Sequence, residues 1–225
     1  MSPADRPQGR GGGAAGAIKT LRRATVRLDQ ELFERAARTR SPLLDSVLPA
    51  LGRAADHSVL WMAVAAGLAL AGGPRGRRAA LTGLIAVAVT SAIANQPAKR
   101  SFGRRRPGLD AVPPGRRVRR VPTSTSFPSG HAASAAAFAT AVATTAPAAA
   151  VPVGALMLGV AYSRVLTGVH YPADVVAGAL LGAGVGLLAG QVARRGLPPA
   201  GRLARPRTCG AVGDGGRLSG KRNWS

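Results

Sequence analysis

Four stretches of this chain, residues 59–73, 79–94, 132–161 and 175–193, carry no charged side chain, and the charges they exclude crowd into the segments between them. The third is broken by Pro147 and Pro152 and is long enough for two helices joined by a tight turn, so the pattern predicts five apolar helices. A bilayer is crossed by roughly 17 to 25 such residues. The first two stretches are short for that, and a soluble bundle of Ala-rich helices is the alternative, since about 18 apolar residues are the usual threshold for a span. The polar residues needed to cover a soluble bundle are missing from these stretches, however. The expected fold class is all-α, a multi-span transmembrane bundle of about five spans preceded by amphipathic helices.

Aromatic residues make up only 4% of the chain, so the predicted helices are built from Ala, Gly, Val and Leu. Gly178, Gly182, Gly186 and Gly190 recur at every fourth position of the last stretch. That arrangement lets helix backbones approach closely in lipid, where little hydrophobic force drives association.

Around this core the chain divides by composition. Residues 1–23 are basic and Gly/Ala-rich and are expected to be disordered, and no cleavable signal peptide is expected there. Residues 24–56 read as amphipathic, interfacial helices, with packing against the bundle as the alternative: Leu28, Leu32 and Ala36 form one stripe. After Ser41 as N-cap and Pro42 at the first helical position, Leu43, Leu44, Val47, Leu48 and Leu51 form another. Residues 57–193 form the membrane-embedded domain, and 194–225 a second disordered basic tail.

The net charge of +22, from 31 Lys and Arg against 9 Asp and Glu, suits anionic lipid or a phosphorylated substrate. No nucleic-acid partner is expected, because no stacking platform or nucleic-acid fold signature accompanies the charge. The single cysteine, Cys209, excludes an internal disulfide. Nothing in the pattern sets an oligomeric state.

Three short blocks carry the chemistry. The first is K-x6-R-P, with Lys99, Arg106 and Pro107, in the Arg-rich loop 96–127; of that loop's many cations only Lys99 and Arg106 are assigned to the site. The second is P-S-G-H, with Ser129, Gly130 and His131, just before an apolar run. Backbone N–H groups at such a helix start favour an anion. The third is S-R-x5-H-x3-D, with Ser163, Arg164, His170 and Asp174, and here Pro172 suits the first helical turn, letting the carboxylate lie back toward the imidazole. Arg164 and Arg106 offer planar donor forks for phosphate oxygens, and Lys99 a point charge. The third histidine, His57, lies outside the blocks and reads as an interfacial residue.

In these blocks the chain resembles the type 2 phosphatidic acid phosphatase superfamily, over about residues 59–193, with no departure from its signature positions. More narrowly, the region from Leu28 onward resembles the phosphatase half of actinobacterial phosphatase/diacylglycerol kinase fusions, although the tail after Arg194 has no pattern for a kinase. The resemblance implies that His170 attacks phosphorus to form a phosphohistidine, that Asp174 orients His170, and that His131 protonates the leaving oxygen and later activates water. It also implies that Lys99, Arg106, Ser129, Gly130 and Arg164 hold the phosphoryl oxygens, without metal or other cofactor. The expected function is a multi-pass cell-membrane phosphatase acting on a lipid phosphate or an isoprenoid phosphate or diphosphate. The alternatives are a vanadate-dependent haloperoxidase, since vanadate mimics phosphate, and a non-catalytic lipid-binding membrane protein.

Overall fold

The structure, a computed structural model, describes residues 12–94, 103–118 and 120–196. Lys99 and Cys209 lie outside the described residues. Among the described residues the elements are α1 (Gly12–Arg38), α2 (Pro42–Ala54), α3 (Val59–Ala71), α4 (Gly73–Ile93), α5 (Gly130–Thr145), α6 (Ala150–Leu166) and α7 (Pro172–Gly196), joined by loops and short 3-10 turns, with no strand.

The five apolar helices expected from the sequence are α3 to α7. Three segments are long and apolar enough to cross a membrane, namely Gly73–Ile93, Pro147–Leu166 and Pro172–Gly196; a fourth is possible if α2 and α3, bent by 67°, count as one. α3 and α5 fall short of the threshold because Gly72 and Gly73 end the one after 13 residues and Pro147 follows the other after 16.

α5 is the axis of the bundle. Its side chains are mostly Ala, and Ala132, Ala133, Ala135, Ala136, Ala137, Phe138 and Ala141 are all buried. α7 packs directly on it through the glycine row foreseen in the sequence: a methyl group at Gly178 would strike the carbonyl of Ser129, one at Gly182 that of Ala133, and one at Gly190 the side chain of Thr144. On another side, Trp61 of α3 meets Phe138 at 5.2 Å between ring centroids, and Gly83 of α4 lies flat against the same ring. The large apolar side chains point outward instead: Leu70 is 87% exposed and Leu180 70%, with Leu81, Ile85, Val151, Leu158, Leu188 and Val192 also exposed. Small residues inside and large aliphatic ones outside is the arrangement of a bundle whose solvent is hydrocarbon.

The N-terminal segment differs from expectation in two ways. α1 begins at Gly12, within the stretch expected to be disordered. Its packed face is Asp29, Phe33 and Ala37, whereas Leu28 and Leu32 of the expected stripe are exposed. The reason is polar: Asp29 accepts the backbone N–H of Ala173 at 2.8 Å and pairs with Arg104, which rotates the helix by about one residue toward the start of α7. α2 starts as expected, with Ser41 at the N-cap and Pro42 in the first turn, and buries Leu48 against α6.

Candidate active site

The described residues of the three blocks gather at one end of the bundle, where α5 and α7 begin, α6 ends, and the loop before α5 folds across. Arg106 is anchored in that loop by carbonyl oxygens: Nε donates to Ser124 O at 3.0 Å, Nη2 to Thr125 O at 3.2 Å and Nη1 to Val169 O at 2.8 Å. So held, its Nη1 lies 3.4 Å from Nε2 of His170. Arg164, in the last turn of α6, is 6% exposed, and its Nε has no hydrogen-bond partner. Its carbonyl accepts the N–H groups of Val169 and His170, at 3.2 and 3.1 Å, which folds the chain back so that His170 returns beside the guanidinium. Gly168, with φ +72, makes that reversal without a Cβ penalty.

Asp174 is fully buried in the first turn of α7. One of its oxygens accepts the N–H of Tyr171 at 2.9 Å, and the other accepts Nη1 of Arg104 at 2.8 Å. His170 Nδ1 stands 3.7 Å from Oδ2, an ion-pair contact longer than a hydrogen bond. His131, in the first turn of α5, places Nε2 2.8 Å from Oδ1 of Asp56. With Arg106 and Gly130 it lines a cavity of about 460 Å³.

Burial pushes the pKa of His170 below the ordinary imidazole value; the charges of Arg106 and Arg164 add to this, while Asp174 opposes it. The ring is therefore neutral near pH 7, with a lone pair available. Arg104 goes the other way: burial works against its charge, but the carboxylates of Asp29 and Asp174 outweigh that and raise its pKa.

Of the residues expected at the site, Arg106, Gly130, His131, Arg164, His170 and Asp174 converge. The backbone N–H of Ser129, expected to face an anion, is taken instead. It donates to the carbonyl of Asp174 at 2.9 Å, and the Ser129 hydroxyl caps the N–H of Ala132 at 3.4 Å, so Ser129 ties α5 to α7 and its amide is already used. Other cations of the loop, not assigned to the site, have structural partners. Arg104 binds Asp29 and Asp174 and lies 4.4 Å from the centre of the Tyr171 ring. Arg116, 2% exposed, donates to Asp45 at 2.6 Å and to the carbonyls of Ala37 and Thr39, clamping the α1–α2 corner. Asp29, Asp56, Arg104 and Arg116 were not singled out in the sequence because none stands at a fixed position of a motif block. The usable signal was scarcity: with only nine acidic residues in the chain, each was worth a partner search.

The model of the PAP2 superfamily matches residues 79–196, which includes α5 to α7 and all three blocks. The chain belongs to the PAP2 superfamily. A decaprenylphosphoryl-5-phosphoribose phosphatase of Mycobacterium tuberculosis is 39% identical over 139 residues, covering 61% of this chain and 73% of that protein. Two solved structures share the fold: a transmembrane PAP2-type phosphatidylglycerolphosphate phosphatase from Bacillus subtilis, with TM-score 0.59, 22% identity and coverage of 76% of this chain and 87% of that one, and LpxE of Aquifex aeolicus, with TM-score 0.58, 24% identity and coverage of 73% and 95%. This PAP2 protein is a membrane-embedded phosphatase, a hydrolase of phosphoric monoesters or diphosphates.

Proposed function

We propose that the site hydrolyses the phosphate of a lipid or isoprenoid phosphate at the cell membrane through a phosphohistidine on His170. The observation that carries the reading is the pair Arg106 and Arg164. Arg164 is buried and Arg106 half-buried beside His170, and among the described residues neither forms an ion pair with a carboxylate. Buried charge of one sign is costly unless an opposite charge is shared with it, and a phosphoryl group spreads its charge over oxygens that two donor forks match. Lys99, in the same loop, would add a third cation.

The chemistry then follows from the neutral imidazole. Nε2 of His170, on the Arg106 side, attacks phosphorus; the N–P bond forms as the bond to the leaving oxygen breaks, and His131 supplies the proton that oxygen takes. Asp174 stabilises the charge that develops on the His170 ring. Water, deprotonated by His131, then attacks phosphorus, the N–P bond breaks and inorganic phosphate leaves. The cradle acts most strongly on the equatorial oxygens of both transition states. Asp174 is held by Arg104 and Tyr171, and among the described residues no group of three or more His, Cys, Asp or Glu could hold a metal ion. A lipid substrate suits the location: the head group reaches the cavity at the end of the bundle while the chain stays against the outward Leu and Val residues.

Phosphate release from a panel of lipid monophosphates and diphosphates tests the reading. Turnover is expected to persist in excess EDTA and to be inhibited by vanadate. Loss of turnover on chelation, restored by Mg2+, would replace the histidine mechanism with a metal-dependent one.

A further inference from the structure

α2 and α3 precede the stretch that the PAP2 model matches, yet the corner between them reaches the site. At Gly52, near the end of α2, a Cβ would stand 2.8 Å from the Ser163 hydroxyl and 3.4 Å from Nη1 of Arg164, so the α2 backbone abuts that buried guanidinium. Four residues later the chain reaches α5: Oδ1 of Asp56 lies 2.8 Å from Nε2 of His131. One corner thus touches both a phosphate-binding arginine and the proton-carrying histidine.

The backbone there is unusual. His57 and Ser58, directly after Asp56, have φ 53 and 63, consecutive left-handed residues that are not glycine. Such backbone is costly and persists where its surroundings hold a particular direction. Here it ends the short turn that Asp56 begins and sends the chain into α3, whose Trp61 packs on Phe138 of α5. The carboxylate and the imidazole it meets are therefore carried by two helices locked to each other. The charges around His131 give the contact its meaning. Arg164 from α6, Arg106 from the loop before α5 and His170 from the turn before α7 all disfavour a second proton on the ring, while Asp56 favours it.

We propose that Asp56 is the positioning residue of His131: it accepts the Nε2 proton, fixes the tautomer, and leaves Nδ1 as the atom that gives a proton to the leaving oxygen and later takes one from water. The inference rests on the phosphatase reading and adds to it a residue outside every motif block. In the first step Nδ1–H passes its proton to the leaving oxygen as the bond from that oxygen to phosphorus breaks, and the ring becomes neutral with Nε2–H still on Asp56. In the second, Nδ1 accepts the proton of the water that attacks phosphorus, and the positive charge returns to the ring. Asp56 stays ionised throughout and balances that charge each time it forms.

Two substrates that differ in their need for a proton test the proposal on the full chain in proteoliposomes: dodecyl phosphate, and a nitrophenyl phosphate bearing the same dodecyl chain. Asp56→Ala is expected to lower kcat/KM about 10- to 100-fold for dodecyl phosphate, a share of the roughly 10² to 10⁴ that such proton transfer supplies. For the nitrophenyl ester, whose leaving group needs no proton, the loss is expected to stay under about threefold. Asp56→Asn removes the charge and keeps the shape. Because His131 must hold its proton to act as the acid, loss of the neighbouring anion lets that proton go at lower pH, and the base limb of kcat/KM for dodecyl phosphate is expected to move down by about half to one unit, a modest shift for a partly exposed pair. Equal losses for both substrates with an unmoved base limb would make Asp56 a joint between α3 and α5 and overturn the proposal. So would wild-type turnover of dodecyl phosphate by Asp56→Ala. Failure of the wild type to release phosphate from either ester, or from any lipid phosphate, would overturn the phosphatase reading itself.

Discussion

The α5–α7 contact and the active-site end of the same two helices are built by opposite means. Along the contact, Gly178, Gly182, Gly186 and Gly190 leave no room for a side chain of their own, and the helices meet by close van der Waals packing. At the end, side chains far apart in sequence meet as charges. Arg104 joins Asp29 and Asp174, His131 joins Asp56, and Arg116 joins Asp45. The first kind of region tolerates no added atom but asks nothing of chemistry. The second can be altered in shape but depends on which charge faces which. The bundle thus supplies a rigid floor on which a polar cluster is set.

The sharpest break of that contrast is on the charge side. Arg164→Ala is expected to lower kcat/KM by about 10² to 10³, as for loss of one preorganised donor, while the protein still folds. Arg164→Lys is expected to recover little, because an ammonium lacks the planar fork. Steady-state kinetics with a thermal melt checks both, and a Lys variant near wild-type activity would mean that only net charge is needed there.

On the packing side, Gly182→Ala is expected to destabilise the protein by about 1 to 3 kcal/mol, since the new methyl meets the Ala133 carbonyl. Gly184→Ala, two residues on, faces open space and is expected to cost nothing measurable. Thermal unfolding in one detergent compares them. Equal midpoints would show that α5 and α7 are not in backbone contact.

Between the two regions stands Asp29, which holds α1 to the start of α7 and braces Arg104 against Asp174. Asp29→Ala is expected to lower kcat about 10- to 100-fold through small displacement of the reacting groups, with KM changed less than about threefold. An unchanged kcat would make α1 a membrane-surface element with no bearing on the site. The smallest effect expected is in pH. Because His170 must be neutral to attack and burial holds its pKa below 6.5, protonation removes activity only below the pH at which a free imidazole would lose it. The acid limb of kcat/KM should therefore have its midpoint under 6.5, and in Arg106→Gln, where one repelling charge is gone, it should move up.

The same contrast explains what could be read from the sequence. The glycine row was legible because close helix approach in lipid has a fixed four-residue period, and the face it predicted is the face that packs. His170 and Asp174 were legible for the same reason, four residues apart across one helix start. Arg104 was not: it sits among five cations between residues 99 and 106, and nothing local marks it as one that finds two carboxylates. Asp29 and Asp56 are each 75 residues from Arg104 and His131, partners set by tertiary folding alone. The amide of Ser129 was expected to face an anion because its place at a helix start suits one, yet the carbonyl of Asp174 takes it. The exposed Leu28 and Leu32 show the limit of apolar periodicity: a buried acid with a half-buried cation turned α1 by one position.

The central claim is that His170 carries the phosphoryl group. Acid- or base-quench trapping of the enzyme during turnover of a phosphate-labelled lipid measures it directly. The label is expected on His170, stable to base and labile to acid, absent in His170→Ala, and accumulating in His131→Ala when the leaving group needs no proton. Label persisting in His170→Ala, or found on any other residue, would contradict the mechanism.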